Sequence, residues 1–235
     1  MLTRTLFIGL AAGAIAGAVA ATVQATLMQP QIVQAEALEA SQTMHDAAVH
    51  QVDDPSGGHT HPQSEEPSDD PLKRHLGTVI AIVCTAIGYG LILSSVIALS
   101  QRRGWRFGLL LGAVGFVSMQ LAPALGAPPQ PPGLPSYDVH VWQLWWLLAA
   151  GCTAAACLLV IDAVQVRRPA GLALCTALAL LPHVVRPLFS AMGPLPEAGQ
   201  LTSAFALSSF ATSAVLWLSL GAVVGALHSR ALSPS

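Results

Sequence analysis

Charged side chains are scarce in this chain. Of its 235 residues only 9% are Asp, Glu, Lys or Arg, whereas 53% are hydrophobic. Because soluble domains carry about a quarter charged residues, this composition excludes an ordinary soluble domain and indicates an integral membrane protein surrounded by membrane lipids. The net charge of −2 gives no basis for nucleic acid as a partner.

Signatures of catalysis are missing as well. The chain has no G-x-x-x-x-G-K-S/T phosphate loop. Its apolar stretches also carry no H-E-x-x-H motif and no Ser/His/Asp constellation. We therefore predict that the protein is not an enzyme and holds no tightly bound cofactor.

Cysteines are few, and all four fall inside apolar stretches: Cys84, Cys152, Cys157 and Cys175. A disulfide framework would place them in outer loops, so we predict none. Cys152 and Cys157 are five residues apart and do not share a helix face, which argues against a thiolate metal site. We interpret all four as small, polarizable packing residues.

The chain contains several long apolar stretches. Six are long enough, or nearly so, to cross a membrane: 5–28, 76–100, 107–123, 141–164, 170–186 and 204–228. A transmembrane helix needs about 20 apolar residues. Since only helices satisfy their own backbone hydrogen bonds in lipid and no alternating barrel pattern occurs, we predict an all-α polytopic bundle of about six transmembrane helices.

Basic residues near the ends of these stretches predict the orientation. With a cytoplasmic N-terminus, seven arginines lie on the inner side: Arg4, Arg102, Arg103, Arg106, Arg167, Arg168 and Arg230. The outer side then carries three basic residues: Lys73, Arg74 and Arg186. We therefore predict an N-in/C-in protein, which agrees with an even number of spans.

This orientation divides the chain into four parts. They are a first transmembrane helix at 1–28, an extracytoplasmic loop rich in histidine and acidic residues at 29–75, a bundle of five helices at 76–228 and a short cytoplasmic tail at 229–235. The loop is periplasmic if the host is Gram-negative.

The first apolar stretch has an alternative interpretation, a signal peptide cleaved after Ala18-Val19-Ala20. However, small residues recur there at every fourth position: Gly9, Gly13, Gly17, Ala21 and Ala25. Such a repeat predicts a packing seam with a neighbouring helix, which a discarded peptide does not need, so we favour a retained helix. Two glycine pairs predict further bundle contacts: Gly108 with Gly112, and Gly221 with Gly225.

The hydrophilic loop holds five of the eight histidines: His45, His50, His59, His61 and His75. Seven acidic residues stand between them. Its start at Pro30–Val49 is rich in helix formers, whereas 52–71 is too polar to bury a core. Imidazole and carboxylate suit Co, Ni, Zn and Cu, so ligand type alone cannot select cobalt. We predict metal capture by His45, His50, His59 and His61; the alternative is a solvated acidic loop.

Two further ligands are predicted at the outer mouth of the bundle. Glu36 follows the first span and would attract and partly dehydrate a cation. His183 follows Pro182 at the outer end of the fifth span, where ionisable groups are costly and usually functional; the alternative is a histidine that reaches the headgroups. Three glutamines lie near the outer ends of spans and offer amide oxygens or inter-helix hydrogen bonds: Gln24, Gln120 and Gln143.

The next outer loop, 122–133, is proline-dense and is predicted to be stiff and extended. The run Gln120–Gly126 with its following prolines, Gln143–Trp146, Leu181–His183 and the histidine loop resemble the CbtA family over essentially the whole chain. That family comprises predicted membrane subunits of a cobalt transporter associated with cobalamin synthesis. The resemblance implies cobalt uptake and a small single-span partner, CbtB, with a histidine-rich tail.

Together these features predict a six-helix protein of the bacterial inner membrane that captures Co²⁺ outside and passes it inward. The predicted path runs from the loop, through a mouth formed by Glu36 and His183, to a channel between small-residue helix seams. Alternatives are a metal-binding or sensing subunit without transport, an assembly subunit, and a transporter of nickel or another divalent cation.

Overall fold

The computed structural model describes residues 2–37, 41, 71–100, 102, 104–131, 138–166, 169–189 and 200–230. Six long helices make up most of this part of the chain: α1 (Leu2–Leu27), α2 (Pro71–Ser100), α3 (Trp105–Phe116), α4 (Val139–Val166), α5 (Pro169–Val185) and α6 (Gln200–Arg230). Helix α3 continues through a π-helical turn, Val117–Leu121, which we name the π-segment, into a short α-helical turn, Ala122–Ala124. Helix α5 ends in a 3₁₀ turn, Arg186–Leu188.

All six helices, α3 with its continuation through Ala124, are long and apolar enough to cross a membrane. No strand occurs among the described residues. The predicted all-α class and the number of spans are therefore confirmed. The boundaries also agree, because the apolar runs that set helix length can be read directly from the sequence.

Successive helices run antiparallel, so the molecule has two ends. The loop end carries the C-termini of α1, α3 and α5 and the N-termini of α2, α4 and α6; the terminal end carries the opposite ends, including Leu2 and Arg230. After a turn at Met28 the chain is helical again over 29–37, with the Gln31 N–H donating to the Met28 carbonyl at 3.0 Å. The predicted helical start of the hydrophilic loop is thus confirmed as far as residue 37.

The glycine repeat of α1 packs directly on α2. A Cβ added to Gly9 would lie 2.8 Å from the Leu91 Cα, one on Gly17 would lie 2.8 Å from the Val83 Cα, and one on Gly13 would collide with the backbone of Ile87. Ala21 is also buried, whereas Ala25 is exposed. The predicted seam is confirmed over its first four positions, where only small residues allow the backbones this approach.

The other two glycine pairs form a single second seam between α3 and α6. A Cβ on Gly108 would lie 2.7 Å from the Gly225 Cα, and one on Gly221 would lie 2.9 Å from the Gly112 Cα. Helix α1 also packs on α6, which joins the two seams into a four-helix block of α1, α2, α3 and α6.

An apolar core fills the space between the seams. Its buried members come from all four helices: Ile8, Ala12, Ala16, Leu93, Ile97, Leu111, Trp217, Leu220 and Val224. Dense packing of aliphatic and aromatic side chains counts against the predicted channel between the seams, which stays a prediction.

Helices α4 and α5 form a separate pair that packs on the block mainly through the π-segment. The loop-end segment from 122 differs from its prediction: Pro123 lies in the short α-helical turn Ala122–Ala124, and turns and irregular structure cover 125–131. Helix α5 likewise continues through the buried Pro182 to Val185.

Candidate metal pathway

The four histidines predicted to capture metal, His45, His50, His59 and His61, lie outside the described residues. Within the described ranges, no three His, Cys, Asp or Glu side chains are grouped so that they could hold a metal ion. Capture by the loop therefore remains a prediction, and the pathway has to be sought among residues of other types.

Glu36 lies in the helical extension at the loop end, where its Oε2 accepts a hydrogen bond from Arg74 Nη2 at 3.0 Å. Both side chains are 40% exposed, so water screens the pair, and its contribution to stability is about 0.2–1 kcal/mol. The pair ties the extension of α1 to the start of α2. A cation that binds Glu36 must compete with Arg74 for the carboxylate.

His183, in the last turn of α5, meets the edge of the Trp145 ring, with 6.2 Å between the ring centroids. Trp145 is fully buried and lies against Gly126, where no side chain larger than hydrogen fits. One turn after His183, Arg186 Nε donates to the Gly126 carbonyl at 3.0 Å. Arg186 and His183 thus both border the region around Trp145 and Gly126.

The structure does not bring Glu36 and His183 into one site. Glu36 belongs to the α1–α2 side of the bundle, and His183 to the α4–α5 pair; α1 packs on α2 and α6, whereas α5 packs on α4. Sequence distance from a span end places a residue at a membrane surface, but it does not give its position around the bundle. The predicted mouth is therefore two separate places at the loop end.

Two neighbouring serines of α6 accept hydrogen bonds from glutamines of two different elements at the loop end. Ser208 Oγ accepts a hydrogen bond from Gln31 Nε2 at 2.6 Å, and Ser209 Oγ accepts one from Gln120 Nε2 at 3.3 Å. The Gln31 amide oxygen is buried and has no hydrogen-bond partner among the described residues. Amide and hydroxyl oxygens thus run across the loop end from the α1 extension to the π-segment.

A cavity of about 430 Å³ opens beside Gln120. The polar part of its wall comes from Gln120, Gln130 and Ser209, and the apolar part includes Met119, the Trp142 and Trp146 rings and three prolines. The sequence left two alternatives for Gln120, an amide that lines an entrance and an inter-helix hydrogen bond. The structure shows the inter-helix bond, to Ser209, and also places the side chain on this cavity. By contrast Gln143 is exposed and does not line the cavity.

The π-segment gives the cavity its inner wall. The Ala122 N–H donates to the Val117 carbonyl, five residues earlier, and Pro123 has no N–H to donate to the next carbonyl. One donor is therefore missing from the helical ladder beside Ser118 and Met119. Such π-turns occur frequently at functional sites, and interrupted helices at membrane depth are tolerated where they are buried in protein or line a cavity.

Two groups of buried polar side chains were not predicted from the sequence. At the terminal end, His228 Nε2 and Ser94 Oγ are 2.9 Å apart, and Ser94 Oγ donates to the Thr5 carbonyl at 2.8 Å. Beside the π-segment, the Ser118 hydroxyl is buried next to the Cys157 thiol, and the buried Thr153 hydroxyl has no hydrogen-bond partner in the described part of the chain. The group at the terminal end could have been found from the sequence, because His228 is an ionisable residue in the last turn of an apolar helix. The group beside the π-segment could not, because it depends on how the helices pack.

Comparison with protein families gives one match. The model of the family described as probable cobalt transporter subunit (CbtA) matches residues 2–229, nearly the whole chain. No curated protein and no solved structure matches the chain.

Proposed function

The chain belongs to the CbtA family of probable cobalt transporter subunits, and we propose that it is the membrane-spanning subunit that takes Co²⁺ from outside the cell and passes it inward. The family match over residues 2–229, together with six membrane-spanning helices, carries this proposal. A multi-pass membrane protein of this family is a transporter subunit rather than an enzyme.

We place the loop end on the outer side of a bacterial inner membrane, with both termini in the cytoplasm. The arginine excess at the terminal end supports this orientation, because positively charged residues are retained on the cytoplasmic side. The hydrophilic loop then stands in the periplasm, where His45, His50, His59 and His61 capture the ion.

From the loop, the ion moves to the oxygen-lined loop end. Glu36 receives it in exchange for Arg74, and the Gln120 cavity takes it into the protein. His183 lies at the edge of this region, where its contact with the buried Trp145 favours a gating role over tight binding. The inner route follows the α3–α4 junction rather than the glycine seams.

The membrane potential supplies enough energy for this direction of transport. A dication gains roughly 4.6 kcal/mol per 100 mV, from about 2.3 kcal/mol per elementary charge. Nucleotide hydrolysis is therefore not required of this chain.

As the family description names a subunit, a partner is expected, and a small single-span protein with a histidine-rich tail, as in CbtB, would present Co²⁺ to the loop.

Radiolabelled cobalt uptake into vesicles that hold this chain alone tests the proposal. We expect uptake driven by an inside-negative potential, and a higher half-saturation concentration when residues 45–61 are deleted or His183 is replaced by alanine. The exposed His140 lies outside the predicted capture set, so His140→Ala serves as the matched control.

The other outcomes separate the remaining functions. Cobalt binding without flux, with or without a partner, would mean a binding or sensing subunit and would refute transport. Flux only with a partner would make the complex obligatory. Nickel that outcompetes cobalt in the same vesicles would move the substrate assignment to nickel.

A further inference from the structure

A second cavity, of about 220 Å³, lies where α2, α3 and α4 meet near the terminal end. It is separate from the Gln120 cavity, which lies at the loop end. Polar atoms reach it from Ser100, the last residue of α2, and from Arg102 in the connection to α3. The apolar part of its wall includes Phe107 and Leu111 of α3 and Leu158 and Ile161 of α4.

The polar and apolar parts of this cavity lie at different depths in the membrane. The membrane-spanning stretches of α2, α3 and α4 have their terminal-end limits at Ser100, Trp105 and Ile161. Arg102 therefore lies at the membrane surface, where the exposed Trp105 ring is typical of an interfacial anchor. Leu111 follows Trp105 by six residues of helix, which places it about 9 Å deeper, in the hydrocarbon region.

The cavity opens to the lipid that surrounds the bundle. Leu158, in its wall, is 46% exposed, whereas Leu111 is 5% exposed and lies at its inner side. An exposed apolar side chain at this depth faces acyl chains, because the bilayer core holds no water. The apolar part of the cavity is thus accessible to a hydrocarbon chain from the bilayer.

Two guanidinium groups beside the cavity have aromatic neighbours but no acidic partner among the described side chains. Arg102 Cζ lies 5.8 Å from the Phe107 ring centroid, and Arg106 Cζ lies 5.5 Å from the Trp105 ring centroid. The ion pair that the described residues form lies at the loop end instead. The N–H donors of arginine match the oxygens of a phosphate group. The first turn of α3 also has no side-chain cap, which favours an anion there.

We propose that this cavity binds a phospholipid with an anionic headgroup, with its phosphate at Arg102 and one acyl chain between α3 and α4. Basic pockets between transmembrane helices are known to bind such headgroups. A free anion would explain the arginines but not the apolar wall that continues below them. Helix α4 packs on the four-helix block mainly through the π-segment, so the lipid would fill the gap that is left between them near the terminal end.

Native mass spectrometry of the purified full-length protein tests this site. The protein is titrated with phosphatidylglycerol and, separately, with phosphatidylcholine of the same acyl chains. We expect tighter binding of phosphatidylglycerol. Arg102→Gln should weaken it about fivefold, the effect of one basic residue near an anionic lipid, and should weaken phosphatidylcholine less. Arg230→Gln is the matched control, because Arg230 lies at the same end but outside the cavity wall.

The apolar wall provides a second test with its own control. Leu158→Trp places a larger ring in the cavity and should remove the tightly bound phosphatidylglycerol. Leu110→Trp makes the same change at a leucine that is 45% exposed and does not line the cavity, so lipid binding should stay unchanged.

Equal binding of the two lipids, or phosphatidylglycerol binding that neither Arg102→Gln nor Leu158→Trp weakens, would overturn the proposal. Displacement of the lipid by inorganic phosphate would mean a free-anion site and would overturn it as well. Thermal unfolding without lipid checks that the variants fold. Arg102 is partly exposed, so Arg102→Gln carries the test if Leu158→Trp does not fold.

This inference requires a membrane-embedded bundle but no metal ion, so its failure and that of cobalt transport can be told apart. The titrations contain no cobalt. Loss of lipid selectivity in a chain that still takes up cobalt would count against this site alone, and selective lipid binding in a chain without uptake would count against transport alone.

Discussion

The four-helix block and the α4–α5 pair are held together in different ways. In the block, glycines bring helix backbones into direct contact along two seams, and an apolar core fills the space between them. At the junction with the pair, an interrupted helix meets the buried hydroxyls of Ser118 and Thr153 and, towards the loop end, a cavity of about 430 Å³.

This difference indicates that the two regions have different roles. Backbone contact through glycines leaves no space for an ion and resists sliding, so the block is a frame. Unsatisfied polar groups and a cavity cost stability, and proteins keep such features where function needs them. Substitutions in the block should therefore change stability first, whereas substitutions at the junction and loop end should change metal handling first.

The largest effect is expected at the first seam. Gly13→Leu places a side chain into the backbone of Ile87 and should lower the free energy of unfolding by about 3 kcal/mol, at the upper end of typical overpacking costs. Thermal unfolding in detergent measures it. Gly88→Leu is the control, because no described atom lies within 4 Å of a Cβ at that position. If both substitutions lowered the free energy of unfolding equally, the seam at Gly13 would not differ from the lipid-facing surface at Gly88.

The next largest effect concerns the polar network inside the block. Ser94→Ala removes the hydroxyl shared by His228 and the Thr5 carbonyl, and should lower the free energy of unfolding by about 2 kcal/mol. Cobalt affinity should not change. Ser95→Ala removes a hydroxyl bonded only locally, to the Leu91 carbonyl, and should cost less than about 0.5 kcal/mol. If Ser94→Ala altered cobalt affinity instead, the block would belong to the ion route.

At the loop end, function should change without a comparable loss of stability. Gln120→Leu removes an amide from the cavity wall and its bond to Ser209, and should reduce cobalt uptake about fivefold, which corresponds to about 1 kcal/mol. Gln143→Leu changes an exposed glutamine outside the cavity and should leave uptake unaltered. Matching losses from both variants would exclude this cavity as the entrance.

The smallest effect is expected at the exposed ion pair. Arg74→Gln frees the Glu36 carboxylate and should lower the half-saturation concentration for cobalt about twofold at low salt, in line with a pair worth about 0.2–1 kcal/mol. Lys73→Gln removes the neighbouring cation and controls for net charge. No gain from Arg74→Gln, or a gain that persists when Glu36→Gln is added, would remove Glu36 from the predicted ligands.

Much of the frame could be predicted from the sequence. Apolar length predicted the six spans, and the four-residue spacing of Gly9, Gly13 and Gly17 predicted a seam before its partner was known. Both signals are local, because they depend on the rise and period of one helix. The sequence could not predict that Gly108 and Gly221 lie in the same seam. Each glycine pair indicates a helix contact, but it does not indicate which helix is the partner.

The pathway was less predictable, because it depends on which helices are neighbours. Glu36 and His183 share an end of the bundle but not a site. Pro123 was assigned to an extended loop, whereas it lies in the helical turn after the π-segment. In lipid a proline-containing turn can stay helical when neighbouring helices surround it, a condition that no local pattern records.

Sidedness is the point on which cobalt import depends most, and labelling of a single cysteine measures it directly. The variant carries His59→Cys with the four native cysteines replaced by serine, and a membrane-impermeant maleimide is added to intact cells whose outer membrane is made permeable. We expect labelling at position 59 from outside, and labelling of Ser235→Cys in the same background only after the inner membrane is opened. Labelling at position 59 only after the inner membrane is opened would contradict the import direction.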